Sequence, residues 1–441
     1  MLGIVVSRAD EASAHIGERL LAAADWTAHE DGGRPDGAGG GAYYRTEGAE
    51  LREFDGLHIE LERPADAFDG VDLIAFASRH SGETGPLLTG HHTGNLGPAE
   101  YGGEPDAFAA AAPAALSATV AAFETAAPEG YGIGIECTHH GPTDVGAPSL
   151  FVEVGSDEAQ WRDAEAATAA ARAILSLRGV DPRTDRAFVG LGGGHYAPRF
   201  TRIVRETDWS VGHIAADWGL RAAAELDDDL LRAAFERSGA DLAVVDGDHP
   251  ELVERVESLG VRVVGESWLR ATAGVARPTI DRLETAVAGV DEGLRFGEPA
   301  RRADGVSEFG LHEPAPELLA DANGIDAGRV REAVAADAVA FETVESGNRV
   351  AGRVAAPDGE AWDRIESALV GLLRERFEEV AVERDAIVAT EEAFDPDRAR
   401  KLGVESGPAF GRLAAGQPVT VGGREIPPSA VHETRTVRYP R

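Results

Sequence analysis

The 441-residue chain carries 77 acidic and 42 basic side chains, a net charge of −35, and one cysteine, Cys137. The length suggests two or three domains. The lone cysteine excludes an internal disulfide framework and a cysteine-rich zinc finger, and no apolar run is long enough for a transmembrane helix. Every basic residue except Lys401 is arginine, and no G-x-x-x-x-G-K-[ST] loop for nucleotide phosphates exists. An acidic, lysine-poor surface is how proteins stay hydrated in concentrated salt, where the screening length falls to roughly 3 Å at 1 M. The charge therefore says little about partners: repulsion of nucleic acid is screened as well, although DNA binding is not expected. The opening Met1-Leu2-Gly3-Ile4-Val5-Val6 lacks the basic segment and long apolar stretch of a signal peptide. A cytoplasmic protein without membrane contact is expected, and the acidic surface favours a monomer.

Residues 2–6 read as a buried strand, followed by a helix over about 9–23 capped by Ser7. Residues 31–41 hold six glycines and one proline, the composition of a flexible inserted loop. Residues 57–61 alternate as a half-buried strand, and 71–76 form a second strand that delivers Ser78, Arg79 and His80. Pro113 opens an alanine-rich helix that ends before Pro128. Strands at 132–135 and 149–154 follow, the first leading into Glu136 and the His139-His140 pair. Ser156 is read as the cap of a helix over about 157–178, with Trp161, Ala164, Ala171, Ile174 and Leu175 on its buried stripe. Residues 187–191 form a strand ending in Gly192-Gly193-Gly194-His195. Strands at 241–245 and 261–264 flank a helix at 250–259.

Strands alternating with helices predict an α/β fold, a mixed and largely parallel sheet flanked by helices, in a domain spanning 1–275. Ligands of such sheets bind beyond the carboxyl ends of the strands. Residues 276–310 are polar and aperiodic and read as a linker. A smaller α+β domain is expected over 311–441, with a hairpin around Ser346-Gly347-Asn348, a helix at about 360–377, a strand at 379–389 and a second hairpin turning at Gly422-Gly423.

Eight of the thirteen histidines lie between residues 80 and 249. Several stand beside carboxylates and glycines where strands end, which is what a metal-assisted hydrolytic site needs. Adjacent residues of an extended chain face opposite ways, so one histidine of His91-His92 and one of His139-His140 is expected to face a site while its neighbour packs behind. Glu136 and Glu153 end apolar strands, and a buried carboxylate requires a metal, a cation or a hydrogen bond. The alternative for both is an ion pair with Arg79 or Arg199. The glycines before His195 allow close approach of a ligand. Arg199, Arg202 and Arg205 form a basic face able to hold phosphate, or else pair internally. Cys137 is more readily a small buried residue or a soft metal ligand than a nucleophile.

Five motifs, Ser78-Arg79-His80-Ser81, His91-His92-Thr93-Gly94-Asn95, Glu136-Cys137-Thr138-His139-His140-Gly141-Pro142, Phe151-Val152-Glu153-Val154-Gly155-Ser156 and Gly192-Gly193-Gly194-His195-Tyr196, occur in an order and spacing that resemble the archaeal and plant-type D-aminoacyl-tRNA deacylases. The resemblance covers roughly residues 1–275. It implies an esterase that frees D-amino acids from mischarged tRNA, with one or two zinc ions. It also implies a fold related to peptidyl-tRNA hydrolases and nucleoside phosphorylases. On this reading the candidate metal ligands are His80, His91, His92, His140, His195 and Glu136. The candidate catalytic groups are Glu136, His139, His140, Glu153 and His195. Arg79, Thr93, Asn95, Gly193, Gly194 and Arg199 are the candidate substrate contacts. The chain departs from shorter family members in the 31–41 loop and after residue 300, where Gly407-Pro408-Ala409-Phe410-Gly411 reads as a plain loop, with a tRNA or core contact as the alternative. Three rivals stand beside this reading: a metal-dependent amidohydrolase acting on a small N-acyl metabolite, a metal-independent enzyme like peptidyl-tRNA hydrolase, and a non-catalytic metal- or RNA-binding protein.

Overall fold

The computed structural model describes residues 1–222, 228–302, 306 and 308–441, which divide into two units, Met1–Ala273 and Gly274–Arg441. The first unit opens with β1 (Leu2–Ser7), α1 (Glu11–Ala23), β2 (Thr27–Asp31), β3 (Gly41–Thr46), β4 (Ala49–Phe54), β5 (Leu73–Arg79) and β6 (Leu87–His91). It continues through β7 (Gly94–Asn95), β8 (Ala107–Phe108), α2 (Pro113–Ala126), β9 (Gly132–Ile135), β10 (Ser149–Gly155), α3 (Glu158–Trp161) and α4 (Ala164–Ser176). A second run comprises β11 (Ala187–Gly192), α5 (Pro198–Glu206), β12 (Ser210–Ala215), α6 (Asp217–Ala222), α7 (Asp228–Ser238), β13 (Leu242–Asp246), α8 (Pro250–Ser258), β14 (Arg262–Val263) and α9 (Glu266–Thr272).

Two main sheets carry this unit, and β7 and β8 pair as a separate two-stranded sheet. The larger has the order β2-β3-β4-β1-β5-β10-β6-β9, and the smaller the order β12-β11-β13-β14. β4, β1, β5 and β10 run parallel, while β6 runs antiparallel to β10 and parallel to β9. All four strands of the smaller sheet are parallel. β1 and β10 are buried along their whole length, as central strands of covered parallel sheets must be, which explains their near-continuous apolar sequence. Phe54, Phe68, Phe76 and Phe151 form one core cluster.

Local chemistry moves several predicted boundaries. Asp10, not Ser7, caps α1 by accepting from the Ser13 amide, while the Ser7 hydroxyl bonds Gly56. The glycine-rich stretch is the turn of the β2–β3 hairpin, tied down by Arg8 on Asp36 and Arg52 on the Gly39 carbonyl. Residues 58–60 make a 3-10 turn rather than a strand; the alternation there reports only that His58 and its neighbours differ in burial. The helix expected over 157–178 breaks at Arg162-Asp163, because Asp157 and Asp163 cap two separate segments. Trp161 therefore leaves the expected stripe and donates its indole N–H to the His80 carbonyl.

The second unit contains α10 (Arg277–Ala286), β15 (Leu294–Phe296), β16 (Gly310–His312), α11 (Pro316–Asp337), β17 (Ala340–Val344), β18 (Arg349–Ala356) and α12 (Gly359–Arg376). β19 (Glu379–Val382), β20 (Ala386–Phe394), α13 (Pro396–Lys401), α14 (Pro408–Ala414), β21 (Val419–Val421), β22 (Arg424–Ile426) and β23 (His432–Pro440) complete it. The stretch read as a linker is therefore structured: α10 lies within it, and β15 pairs with β17. Its apolar residues Ile280, Leu283, Val287, Val290, Leu294 and Phe296 are buried, the first three at the i, i+3, i+7 spacing of a helix face. The segment read as one strand at 379–389 is two strands, β19 and β20, paired with each other. Residues 408–411 open α14 instead of a loop, with Pro408 at its first turn. No helix among the described residues is long and apolar enough to cross a membrane.

Three histidines are built into the first unit as neutral core groups. His58 lies edge-on to Phe76 and Phe151 and meets the Ser13 hydroxyl at 3.2 Å. His92 donates to the Gly212 carbonyl, and His213 bridges Thr138 and the Ala109 carbonyl. Burial pushes their pKa values down, to about 4, about 4 and about 3 respectively. In the unfolded chain each takes up a proton near pH 6.5. Below that pH the unfolded state binds more protons, so stability is whole above about pH 6.5 and falls as the pH drops toward about 4. The ring NMR signals of His58, His92 and His213 are expected to stay at neutral-imidazole shifts from about pH 7 to about pH 5; titration of these rings near pH 6.5 would contradict their neutral burial.

Candidate active site

The cluster forms where the loops following β5, β6 and β9 meet the middle of β10 and the loop after β11. His80 follows β5, His91 closes β6, Glu153 sits in β10 opposite Thr89 and Ser78, and Glu136 follows β9. Because β6 and β9 run against β5 and β10, these groups do not share one set of carboxyl ends. Oppositely directed strands bring them together instead. The 136–140 segment is laced to the smaller sheet by the Cys137 amide on the His195 carbonyl, 2.7 Å, and the Thr138 amide on the Ile214 carbonyl, 2.9 Å.

Glu136 is the hub. Its Oε2 lies 2.8 Å from His195 Nε2 and 3.8 Å from His139 Nε2, and its Oε1 lies 3.2 Å from His80 Nδ1. Glu153 approaches His91 Nε2 at 3.5 Å and His80 Nδ1 at 3.7 Å. Both carboxylates are buried. Burial alone would raise Glu136, but hydrogen bonds from His195 and His80 hold it well below the usual carboxylate range. Glu153 is raised, because burial outweighs its contact with His91. Burial also opposes the charge on His195, yet Cys137 and Glu136 at its two nitrogens lift it to about 10. Burial and the neighbouring His91 push His140 down to about 3, and His139 is depressed by the same causes.

Three imidazoles share one arrangement. His91, His139 and His140 each place Nδ1 on a backbone carbonyl, those of His92 (3.1 Å), Cys137 (2.8 Å) and Gly141 (2.6 Å). A carbonyl accepts only, so each Nδ1 carries the proton; the depressed His139 and His140 then present a lone pair at Nε2, whereas on His91 burial opposes the charge but Glu153 beside Nε2 raises it. Such carbonyl-fixed tautomers are how proteins orient histidines that ligate metal. The donor atoms of His91, His139 and His140 lie within 4.8 Å of one another, as do those of His80, Glu136 and Glu153, and those of Cys137, His139 and His195. His91 Nε2 is buried without a hydrogen bond, 3.5 Å from Glu153. A nitrogen- and carboxylate-rich donor set with an unsatisfied inward nitrogen fits a zinc-type ion.

The structure brings most of the expected residues together and leaves others outside the cluster. His92 points away from the cluster, as opposite-facing neighbours on an extended strand require, and is not within the described metal-ligating groups. Both members of His139-His140 join, because the chain there is not extended: His140 adopts a left-handed backbone with φ of 47°. Thr93 and Asn95 are buried and turned to loop carbonyls, Thr93 to Pro142 and Asn95 to Gly102 and Glu104. They hold the strand-end loops in place. Gly193, with φ of 77°, leaves no room for a Cβ against Asp246, whereas Gly194 is open. Arg199 is engaged by the Val245 carbonyl, Asp246 and Glu266, and Arg202 and Arg205 pair with Glu266 and Glu124. Of the predicted cations, Arg79 lines the cavity and stacks over Trp161 at 5.1 Å.

The cavity above the cluster measures about 410 Å³ and is bordered by His80, His139, His140, Glu153 and His195. His58, Tyr101 and Asp10 complete its wall without having been singled out. Tyr196, whose hydroxyl lies 3.2 Å from His80 Nε2, was legible only as the neighbour of His195.

A model of the D-aminoacyl-tRNA deacylase family matches residues 67–264. The chain is 53% identical over 441 residues to a Natronomonas pharaonis protein named D-aminoacyl-tRNA deacylase, covering 100% of both. It is 51% identical over 479 residues to a protein of the same name from Halorubrum lacusprofundi, covering 100% of this chain and 97% of that one. A crystal structure described as a conserved protein of unknown function superposes with a TM-score of 0.55 and 29% identity, over 61% of this chain and 96% of that one. With relatives of this identity along its full length, the chain belongs to the D-aminoacyl-tRNA deacylase family.

Proposed function

We propose that the His–Glu cluster is the hydrolytic centre of this chain and that its substrate is the ester of a D-amino acid with tRNA. Family membership carries the reaction: the protein hydrolyses D-aminoacyl-tRNA to the free D-amino acid and tRNA. The observation that supports the site is the convergence of His91, His139 and His140, each with its proton fixed on a backbone carbonyl. His91, His139 and His140 would hold zinc through Nε2, with His80, Glu136 and Glu153 as an adjoining donor set. Zinc there would supply Lewis acidity toward the ester carbonyl and the attacking water. The proposed location is the cytoplasm, where charged tRNA is found.

The protein's own groups divide the remaining work. Glu153 and Glu136 have protonation preferences pushed apart by their surroundings, the arrangement that separates acid from base. Glu136 keeps a proton on His195 Nε2, and His195, with 32% of its side chain exposed, stands ready to pass a proton to the departing ribose oxygen. Arg79 meets negative charge at the rim. The cavity walls select the D-configuration by where the α-substituent fits.

Hydrolysis of D-tyrosyl-tRNA but not L-tyrosyl-tRNA in molar potassium chloride is the expected result; equal or absent cleavage by folded protein would overturn the reading. Chelation should abolish turnover and zinc should restore it. His140→Ala and His139→Ala should each lower kcat at least about a hundredfold while the circular dichroism spectrum stays that of the parent. Retention of near-normal kcat in both variants would remove these rings from the chemistry.

A further inference from the structure

The arginines expected to contact phosphate are neutralised by carboxylates, but a second group is not. α1 and α4 pack side by side, and the groove between them, about 510 Å³, is lined by Arg19, Arg172 and Arg178 together with Thr168 and Ser176. No aspartate or glutamate lines it. Among the described residues none of the three arginines forms an ion pair. Arg19 contacts His15 Nε2 at 3.1 Å, and Arg178 donates to the Leu175 carbonyl. Elsewhere in the first unit Arg8, Arg52, Arg162, Arg202, Arg205 and Arg270 all have carboxylate partners. In a chain with 77 acidic and 42 basic side chains, three guanidinium groups gathered around one cavity without a counter-charge repel one another and call for an anion. The C-terminal ends of two helices would each favour one cation, which does not account for three.

The groove and the catalytic cavity share no lining residue, but a relay of side-chain contacts runs between them. Arg79 at the cavity wall stacks over Trp161. The Trp161 carbonyl accepts from His15 Nδ1 at 3.0 Å, and His15 in turn contacts Arg19. Asp10, at the head of α1, lines the cavity, and Arg19 lies nine residues further on, about 14 Å of helix rise. Arginine clusters interleaved with an aromatic ring suit a phosphodiester strand, whose phosphates take bidentate donors and whose bases stack.

We propose that Arg19, Arg172 and Arg178 form a docking groove for the phosphate backbone of the tRNA acceptor end, leading along Trp161 and Arg79 to the catalytic cavity. This rests on the tRNA-ester reading above, and the partner is the tRNA strand rather than free phosphate.

The test is the full-length triple variant Arg19→Gln/Arg172→Gln/Arg178→Gln. Binding of uncharged tRNA and hydrolysis of D-tyrosyl-tRNA are measured across about 0.5 to 2 M potassium chloride, where screening over a few ångströms removes any general effect of net charge. Expected are an affinity for uncharged tRNA at least tenfold weaker and a log Kd against log salt slope shallower by about 2 to 3, from roughly 0.7–0.9 per phosphate contact. KM should rise with kcat unchanged, and thermal unfolding should match the parent. Parental affinity and slope in the folded variant would overturn the groove. Binding of millimolar inorganic phosphate by the parent and not by the variant, with tRNA affinity unmoved, would do so as well. Failure of the parent to cleave D-tyrosyl-tRNA would sink the hydrolase reading instead, and the uncharged-tRNA arm would still decide the groove.

Discussion

Glu136 and Glu153 are held out of water in the first unit, where each needs a positive or hydrogen-bonding partner to remain folded in. Four histidines approach them: His80, His91, His139 and His195. The arrangement constrains the rest of the unit. β6 must run against β10 to set His91 beside Glu153. The loop after β9 must be stitched to the smaller sheet through Cys137 and Thr138 so that Glu136 reaches His195. Thr93 and Asn95, bonded to loop carbonyls around Gly102 and Pro142, keep the His140 turn in its left-handed form. Breaking one partner of such a network leaves a buried charge unpaired, costing about 3 to 5 kcal/mol. The residues that orient the rings are thereby bound to the fold as closely as the rings themselves.

The acidic surface and the arginine usage divide along the same line. Most arginines of the first unit are tied to carboxylates, and exposed pairs of this kind contribute at most about 1 kcal/mol each. Their value in concentrated salt lies in a hydrated, mutually compensated surface. Against that background a cation without a carboxylate stands out. Arg79 at the cavity and the three arginines of the α1–α4 groove are gathered where negative charge from outside can be met.

Much of the fold was legible because its central strands are continuous apolar runs: β1, β5, β10, β11 and β13 are where Ile, Val, Leu and Phe accumulate. β12, Ser210–Ala215, escaped because a glycine and a histidine interrupt it, and with it went the second sheet. The site was legible as residue types at strand ends. Its geometry was not: whether His91 or His92 faces inward depends on the register of β6 against β10, and whether both His139 and His140 enter depends on one backbone conformation at His140. Arg199, Arg202 and Arg205 show the limit most plainly. Their spacing was visible, but Glu124, Asp246 and Glu266, which neutralise them, are 46 or more residues away in sequence or on other helices.

The central claim is that three carbonyl-fixed imidazoles converge on one metal. It is tested most directly by titrating metal-stripped protein with cobalt(II) as a spectroscopic stand-in for zinc, in parent and His139→Ala forms. The account predicts saturable visible absorption bands in the parent, displaced by zinc and lost in the variant. Absence of saturable binding by the stripped, folded parent, with full D-tyrosyl-tRNA hydrolysis retained, would contradict it.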